Sequence, residues 1–181
     1  MSQSTKEKLI ISAIKVFSEK GFFNTKVSDI VKEAGVAQGT FYLYFKNKEE
    51  IFLKIIQVIN SQIKYVIEKY RNANGSPKKI IKLFGREIFR IIYEYKEIGY
   101  IFFFQVICVG KEFQDIYFET SEEIKQFYIE KLSGISDANL KADILIGFGK
   151  RLVEFGILTE NKRYTQIIND FEKAVDVILG D

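Results

Sequence analysis

The sequence has no histidine, a single cysteine and a single proline in 181 residues. Without histidine, the commonest general base and the commonest metal ligand are both missing, which sets any enzymatic reading at a disadvantage. The lone cysteine, Cys108, excludes an internal disulfide framework and fits a reducing cytoplasm; inside an apolar run it reads as a core thiol rather than a nucleophile. Pro77 as the only proline points to helices with few breaks. The longest apolar run, Ile98 to Gly110, is 13 residues with Gln105 inside it, short of the roughly 18 to 20 needed to span a bilayer. No membrane association is expected. The opening "MSQSTKEKLI" lacks the basic, apolar and cleavage regions of a signal peptide. Acidic pairs such as Glu122-Glu123 fall on exposed helical faces with no nucleophile beside them. No catalytic residue, metal site or cofactor is therefore expected.

What is present is apolar and aromatic: 47% of residues are hydrophobic and 15% aromatic. An all-α globular protein follows. Charge is uneven, since residues 1–48 carry eight lysines against Glu7, Glu19, Asp29 and Glu33, a net of +4 in a chain of net +3. A basic N-terminal module suits a polyanionic partner.

Ser4-x-x-Glu7 predicts a capping box, and Leu9, Ile10, Ala13, Ile14 and Phe17 carry a helix over about residues 5–20, closed by Gly21. Thr25 or Ser28 is expected to cap a second, short helix with Val27, Ile30, Val31 and Ala34 inward, ended by Gly35. After Val36 and Ala37 a third helix spans Gln38 to Phe45. Phe41 and Phe45, four apart, share its buried face, which leaves Gln38, Thr40, Tyr42 and Tyr44 largely outside it. Two short helices around a tight turn, lidded by a first helix, make a helix-turn-helix. Asn47-x-x-Glu50 then caps a long fourth helix.

The segment "TKVSDIVKEAGVAQGTFYLYFKNKEEIF", Thr25 to Phe52, resembles the DNA-binding signature of the tetracycline-repressor (TetR) family of transcriptional regulators. The resemblance covers roughly the first 55 residues. It implies an N-terminal DNA-binding domain over residues 1–47 and a C-terminal helical domain for ligand binding and dimerisation over 48–181. It further implies DNA contacts from Thr25, Lys26, Ser28, Gln38, Gly39, Thr40, Tyr42, Tyr44 and Lys48. The local chemistry allows these roles: Gln38 and Thr40 suit base edges, Gly39 permits close approach, the tyrosine hydroxyls suit phosphate or base, and Lys48 suits a phosphate. Family members often carry lysine or arginine where this chain has Gln38.

Beyond Tyr70 further helices are expected from Pro77 to about Tyr95, and near 98–109, 113–132, 137–155 and 164–179. Residues 97–130 hold nine aromatics in 34 positions, a density that serves either a solid core or an apolar cavity. The family resemblance implies a ligand pocket in this region. Its candidate lining is Phe84, Ile88, Phe103, Ile107, Phe118 and Phe148, with Tyr100, Gln105 and Tyr117 as polar contacts, and the effector expected is a small apolar or aromatic compound. The apolar stripes of the last two helices exceed what one hairpin buries, and Gly147, Gly149 and Gly156 allow close approach. In the resembled family this pair forms the dimer interface, which assigns Leu145, Leu152, Phe155, Ile168, Phe171 and Val175 to it. The expectation is a cytoplasmic homodimeric repressor that binds a palindromic double-stranded operator and is released by its effector. An activator, or an apolar-ligand carrier without operator readout, remains the alternative.

Overall fold

Ser4 and Glu7 close a reciprocal cap: the Glu7 N–H donates to Ser4 Oγ at 3.3 Å and the Ser4 N–H to Glu7 Oε2 at 2.9 Å. The helix they start, α1, runs Thr5–Lys20. It belongs to a computed structural model that describes residues 4–180; the outermost ends of the two expected domains, 1–3 and 181, lie outside these. The helices that follow are α2 Val27–Ala34, α3 Gln38–Tyr42, α4 Lys48–Arg71, α5 Pro77–Glu94, α6 Lys96–Tyr100, α7 Val106–Val109, α8 Lys111–Lys131, α9 Ala138–Arg151 and α10 Tyr164–Leu179. Two π-helical turns, Ile101–Gln105 and Leu152–Ile157, complete the described secondary structure.

The described chain splits into two compact units. One unit takes the residues up to Ile59 together with Glu97–Asp115, and the other takes Asn60–Lys96 with the residues from Ile116 onward. Helix α4 is a continuous 24-residue helix; Ile51, Phe52 and Ile55 are buried in the first unit, and Ile63, Val66 and Ile67 in the second.

In the N-terminal unit the core is a set of edge-on rings: Phe52 lies 5.0 Å from Phe17, 4.8 Å from Phe22 and 5.5 Å from Phe113 between centroids. Aromatic pairs at such spacing add to the energy of area burial. Leu9, Ala13, Ile30, Phe41, Ile51, Ile55, Ile101 and Val106 are fully buried around them. The turn between α2 and α3 begins at Gly35, whose φ of 66° is left-handed, a conformation glycine adopts without the steric penalty of a Cβ.

In the C-terminal unit, the second half of α4 runs parallel to α8. Thr120 Oγ1 meets Asn60 Oδ1 at 2.9 Å, Lys64 pairs with Glu123 at 2.8 Å and Arg71 with Glu130 at 2.9 Å, a nearly constant offset along both helices. Helix α5 is antiparallel to α10: Lys82 pairs with Asp176 at 2.6 Å, and one turn on Arg86 pairs with Glu172. Beneath the ion pairs Phe89 lies edge-on to Phe171 at 5.0 Å, and Phe84 lies tilted against Phe127 at 4.4 Å beside Tyr128. The fully buried Tyr128 has its phenol pKa pushed up by desolvation alone.

Candidate nucleic-acid interface

Helix α3 is anchored from beneath by two rings. Phe41 is fully buried and Phe45 nearly so, with 5.7 Å between their centroids. The opposite side of this segment carries what the core does not use: Gln38 and Gly39 are exposed, Tyr42 is 55% and Leu43 79% exposed, and Tyr44 also reaches solvent. Tyr42 leans edge-on against Phe41 at 5.5 Å, which holds its ring and leaves its hydroxyl outward. No side chain caps α3, because its cap residue is Ala37 and the Thr40 N–H donates to the Ala37 carbonyl at 2.9 Å. A Cβ built on Gly39 would meet nothing within 4 Å. The fold itself therefore does not require glycine there, although glycine weakens a helix by about 1 kcal/mol relative to alanine.

Helix α2 is tied to α1 by Lys15–Glu33 at 2.6 Å and Lys20–Asp29 at 2.8 Å. These pairs are exposed and worth little energy, but they engage both acidic groups of α2 with lysines of α1. The Lys20 ammonium, and then the Lys26 N–H, hold the Asp29 carboxyl below its usual range, and the Glu33 carboxylate raises Lys15. Lys26 and Ser28 are exposed at the start of α2, and Lys46 is exposed past α3.

Three expectations about this end of the molecule are corrected. Lys26, not Thr25 or Ser28, is the cap residue of α2, with its N–H on Asp29 Oδ2 at 2.9 Å. Thr25 is 1% exposed and its hydroxyl donates back to the Gly21 carbonyl at 2.8 Å, so it does not face a phosphate. Lys48 donates to the carbonyls of Phe22 and Thr25 at 2.8 and 3.0 Å and sits 4.4 Å from the Phe22 ring centroid. Its ammonium clamps the turn before α2.

The nine expected ligand contacts are distributed over both units. Tyr100, Phe103, Gln105 and Ile107 belong to the N-terminal unit, whereas Phe84, Ile88, Tyr117, Phe118 and Phe148 belong to the other. Phe84 is solid core, and Gln105 is bound to the backbone of α1 rather than open to a ligand: Nε2 donates to the Phe17 carbonyl at 2.8 Å and Oε1 accepts from the Phe22 N–H at 3.0 Å. Tyr117 is buried beneath Lys150, whose Nζ is 5.3 Å from its ring centroid, while Phe118 is exposed. Tyr100 and Phe104 pair at 5.0 Å, both partly exposed, as is Ile107. Cys108 is exposed and not a core thiol, because α7 is a single turn that buries Val106 instead.

The expected dimer contacts are also reassigned. Leu145, Leu152, Ile168, Phe171 and Val175 are buried within the single chain, where α10 packs on α5 and α9. Gly156 is the close approach of the three glycines, with Ile167 Cδ1 2.5 Å from where its Cβ would lie. What α9 and α10 leave uncovered is a second stripe: Leu140, Ile144 and Val177 are exposed, the last by 84%. Ile144, Phe148, Ala174, Val177 and Ile178, with Asp170 and Lys173, line a shallow groove of about 440 Å³. Phe155 is exposed too, under the Arg151 guanidinium at 3.4 Å. The spacing of four between Leu140, Ile144 and Phe148 was the available signal for this face. Leu43 carried none beyond its place at the end of α3.

Among the described residues, no helix is long and apolar enough to cross a membrane, and no three His, Cys, Asp or Glu side chains are grouped to hold a metal.

Residues 9–55 match the family described as bacterial regulatory proteins, tetR family, and residues 78–178 match the tetracyclin repressor-like C-terminal domain. The uncharacterized HTH-type transcriptional regulator YdgC of Bacillus subtilis (strain 168) is 30% identical over 165 residues, 86% of this chain and 82% of that protein. The negative transcriptional regulator IcaR of the biofilm operon icaADBC of Staphylococcus aureus (strain Newman) is 29% identical over 69% of this chain and 70% of its own. The crystal structure of a transcriptional regulator from Aquifex aeolicus VF5 superposes with a TM-score of 0.82 at 28% identity, covering 97% of this chain and 99% of that one.

Proposed function

The chain belongs to the tetR family of bacterial regulatory proteins, and from that premise we propose that it is a cytoplasmic, homodimeric repressor that reads a palindromic operator and releases it on binding a small apolar or aromatic effector. The observation that carries the reading is the division of labour over α3 and the turn that follows it, where Phe41 and Phe45 anchor the segment and Gln38, Gly39, Tyr42, Leu43 and Tyr44 stand free of the core. A short helix held this rigidly, with a crest of amide, phenol and apolar groups, suits base edges and thymine methyls in a major groove. Gly39 fits the same purpose, since only a partner outside the chain benefits from the missing side chain. Lys26, Ser28 and Lys46 flank the crest as phosphate contacts.

A single such helix reads only a half-site, and a two-fold dimer presents two about 34 Å apart. The uncovered stripe of Leu140, Ile144 and Val177 on α9 and α10 supplies a self-complementary apolar face for that dimer. The effector then acts by linkage: it binds better to a dimer geometry whose recognition helices no longer match successive grooves, and operator affinity falls by the same factor.

Selection of binding sites from a random duplex pool, together with native mass spectrometry of the purified protein, tests the reading. An inverted repeat and a dimer mass are the expected results. Failure to enrich any duplex would instead favour an apolar-ligand carrier, and a small molecule that tightens operator binding would favour an activator.

A further inference from the structure

Gln105 ends the π-helical turn Ile101–Gln105, in which the Val106 N–H donates to the Ile101 carbonyl, one residue further back than in an α-helix. Its carboxamide bridges two backbone groups at the end of α1, the Phe17 carbonyl, which also accepts from the Gly21 N–H at 2.9 Å, and the Phe22 N–H. Nε2 meets the Phe17 carbonyl at 2.8 Å, and Oε1 meets the Phe22 N–H at 3.0 Å. A neutral amide is the side chain that satisfies both, because a carboxylate only accepts and an aliphatic chain does neither. The other side of the same turn is held by Lys48 on the carbonyls of Phe22 and Thr25, and by the Thr25 hydroxyl on the Gly21 carbonyl. Thr25 leads directly into Lys26, the first cap of α2, and α3 packs on α2. The segment Phe17–Thr25, from which α2 leaves α1, is thus braced by side chains reaching in from α4 and from the π-helical turn.

Residues 97–115 fall within the stretch that matches the C-terminal family domain, yet they fold into the N-terminal unit. We propose that Gln105 is a positioning residue for DNA binding: by bridging the Phe17 carbonyl and the Phe22 N–H it aims α2 and α3, so that a change of register in the π-helical turn alters operator affinity without any contact to DNA. A π turn is a place where such a change is small, since gain or loss of one residue per turn restores α geometry. This inference rests on the reading of the chain as an operator-binding protein.

The test uses the full chain, the duplex that the wild type enriches, and the variants Gln105→Leu and Gln105→Glu, with Gln114→Ala as a neighbouring control in the same unit. Gln105→Leu is expected to weaken operator binding about 10-fold, with the consensus and the salt slope unchanged because no phosphate contact is removed. Gln105→Glu is expected to bind about as poorly at pH 7, where its carboxylate faces the Phe17 carbonyl, and to recover part of the lost affinity at pH 5, where the protonated fraction of the carboxyl again donates and accepts. The wild-type profile stays flat over that range, because the chain has no histidine. Recovery on acidification separates positioning from a variant that has merely lost its fold. Wild-type affinity in Gln105→Leu, or a Gln105→Glu variant equally impaired at both pH values, overturns the proposal alone. A wild type that enriches no duplex overturns the operator reading and this proposal with it.

Discussion

The ring of Phe171 occupies the place where a side chain on Gly85 would have to be: a Cβ built on Gly85 would stand 2.1 Å from Phe171 Cε1. Helices α5 and α10 come together over this missing methyl group, with Phe89 edge-on to the same ring. Gly85→Ala is therefore expected to destabilise the C-terminal unit, because Phe171 is fully buried and has no free space to turn into. Overpacking of this kind costs about 1–3 kcal/mol, enough to lower the thermal midpoint by several degrees in a chain of this size. Scanning calorimetry that finds an unchanged or raised midpoint would show that the α5–α10 contact is looser than described.

A charge placed on α10 should act in opposite ways according to the side it faces. Phe171→Glu puts an unpaired carboxylate into the core of one chain and is expected to abolish folding, since an uncompensated buried charge is among the most destabilising changes known. Val177→Glu lies at an 84% exposed position and leaves that core untouched. It is expected to give folded monomers that bind operator weakly. Circular dichroism and sedimentation equilibrium decide the matter; a folded dimer from Val177→Glu moves the partner face away from α9 and α10.

These helices also mark how far the sequence could be read. Their existence, length and apolar stripes follow from periodicity alone, and α10 was expected at its observed span. Periodicity does not say which partner covers a stripe. The stripe through Ile168, Phe171 and Val175 is covered by α5 of the same chain, and the weaker one through Val177 is left open. The three helices and turn of the DNA-binding end were legible for a different reason: Ser4, Gly21, Gly35 and Phe41–Phe45 act locally. Thr25, Lys48 and Gln105 were not, because each is defined by a backbone group on another element, and spacing carries no trace of that. The π-helical turns, one inside the expected helix at 98–109 and one at the end of that at 137–155, likewise leave no periodic mark over five or six residues.

The pH dependence of stability has a definite sign. With no histidine, little is titrated between about pH 5 and 7. Asp29 is held below its usual range by the Lys20 ammonium and the Lys26 N–H, and Asp176 by Lys82 and then Lys78. In Glu87 burial pushes the carboxyl up, but hydrogen bonds from Lys69 and Tyr70 outweigh it and the net direction is down. A carboxyl lowered in the folded state contributes stability above its unfolded pKa, about 4, and loses it as pH falls through the folded value. Urea midpoints are expected to be flat from pH 7 to 5 and to fall below about pH 4. The Asp29→Asn variant should fall less steeply, and a midpoint already dropping between pH 7 and 5 would contradict this account.

Gln38 bears on which operator is read. It stands exposed at the first position of α3, and that helix is capped by no side chain, so its amide is not taken up in capping. A glutamine amide pairs bidentately with adenine N6 and N7, whereas lysine or arginine in its place prefers guanine O6 and N7. If Gln38 reads a base, Gln38→Ala costs about 1–3 kcal/mol at one symmetric pair of operator positions and little elsewhere. Gln38→Lys shifts the preference at those positions towards guanine. A contact to phosphate instead would change affinity uniformly across sequences and leave the preferred site as it was. Sites selected from a random duplex pool by the wild type and both variants distinguish these outcomes, and identical consensus sequences from all three proteins would sink base readout by Gln38.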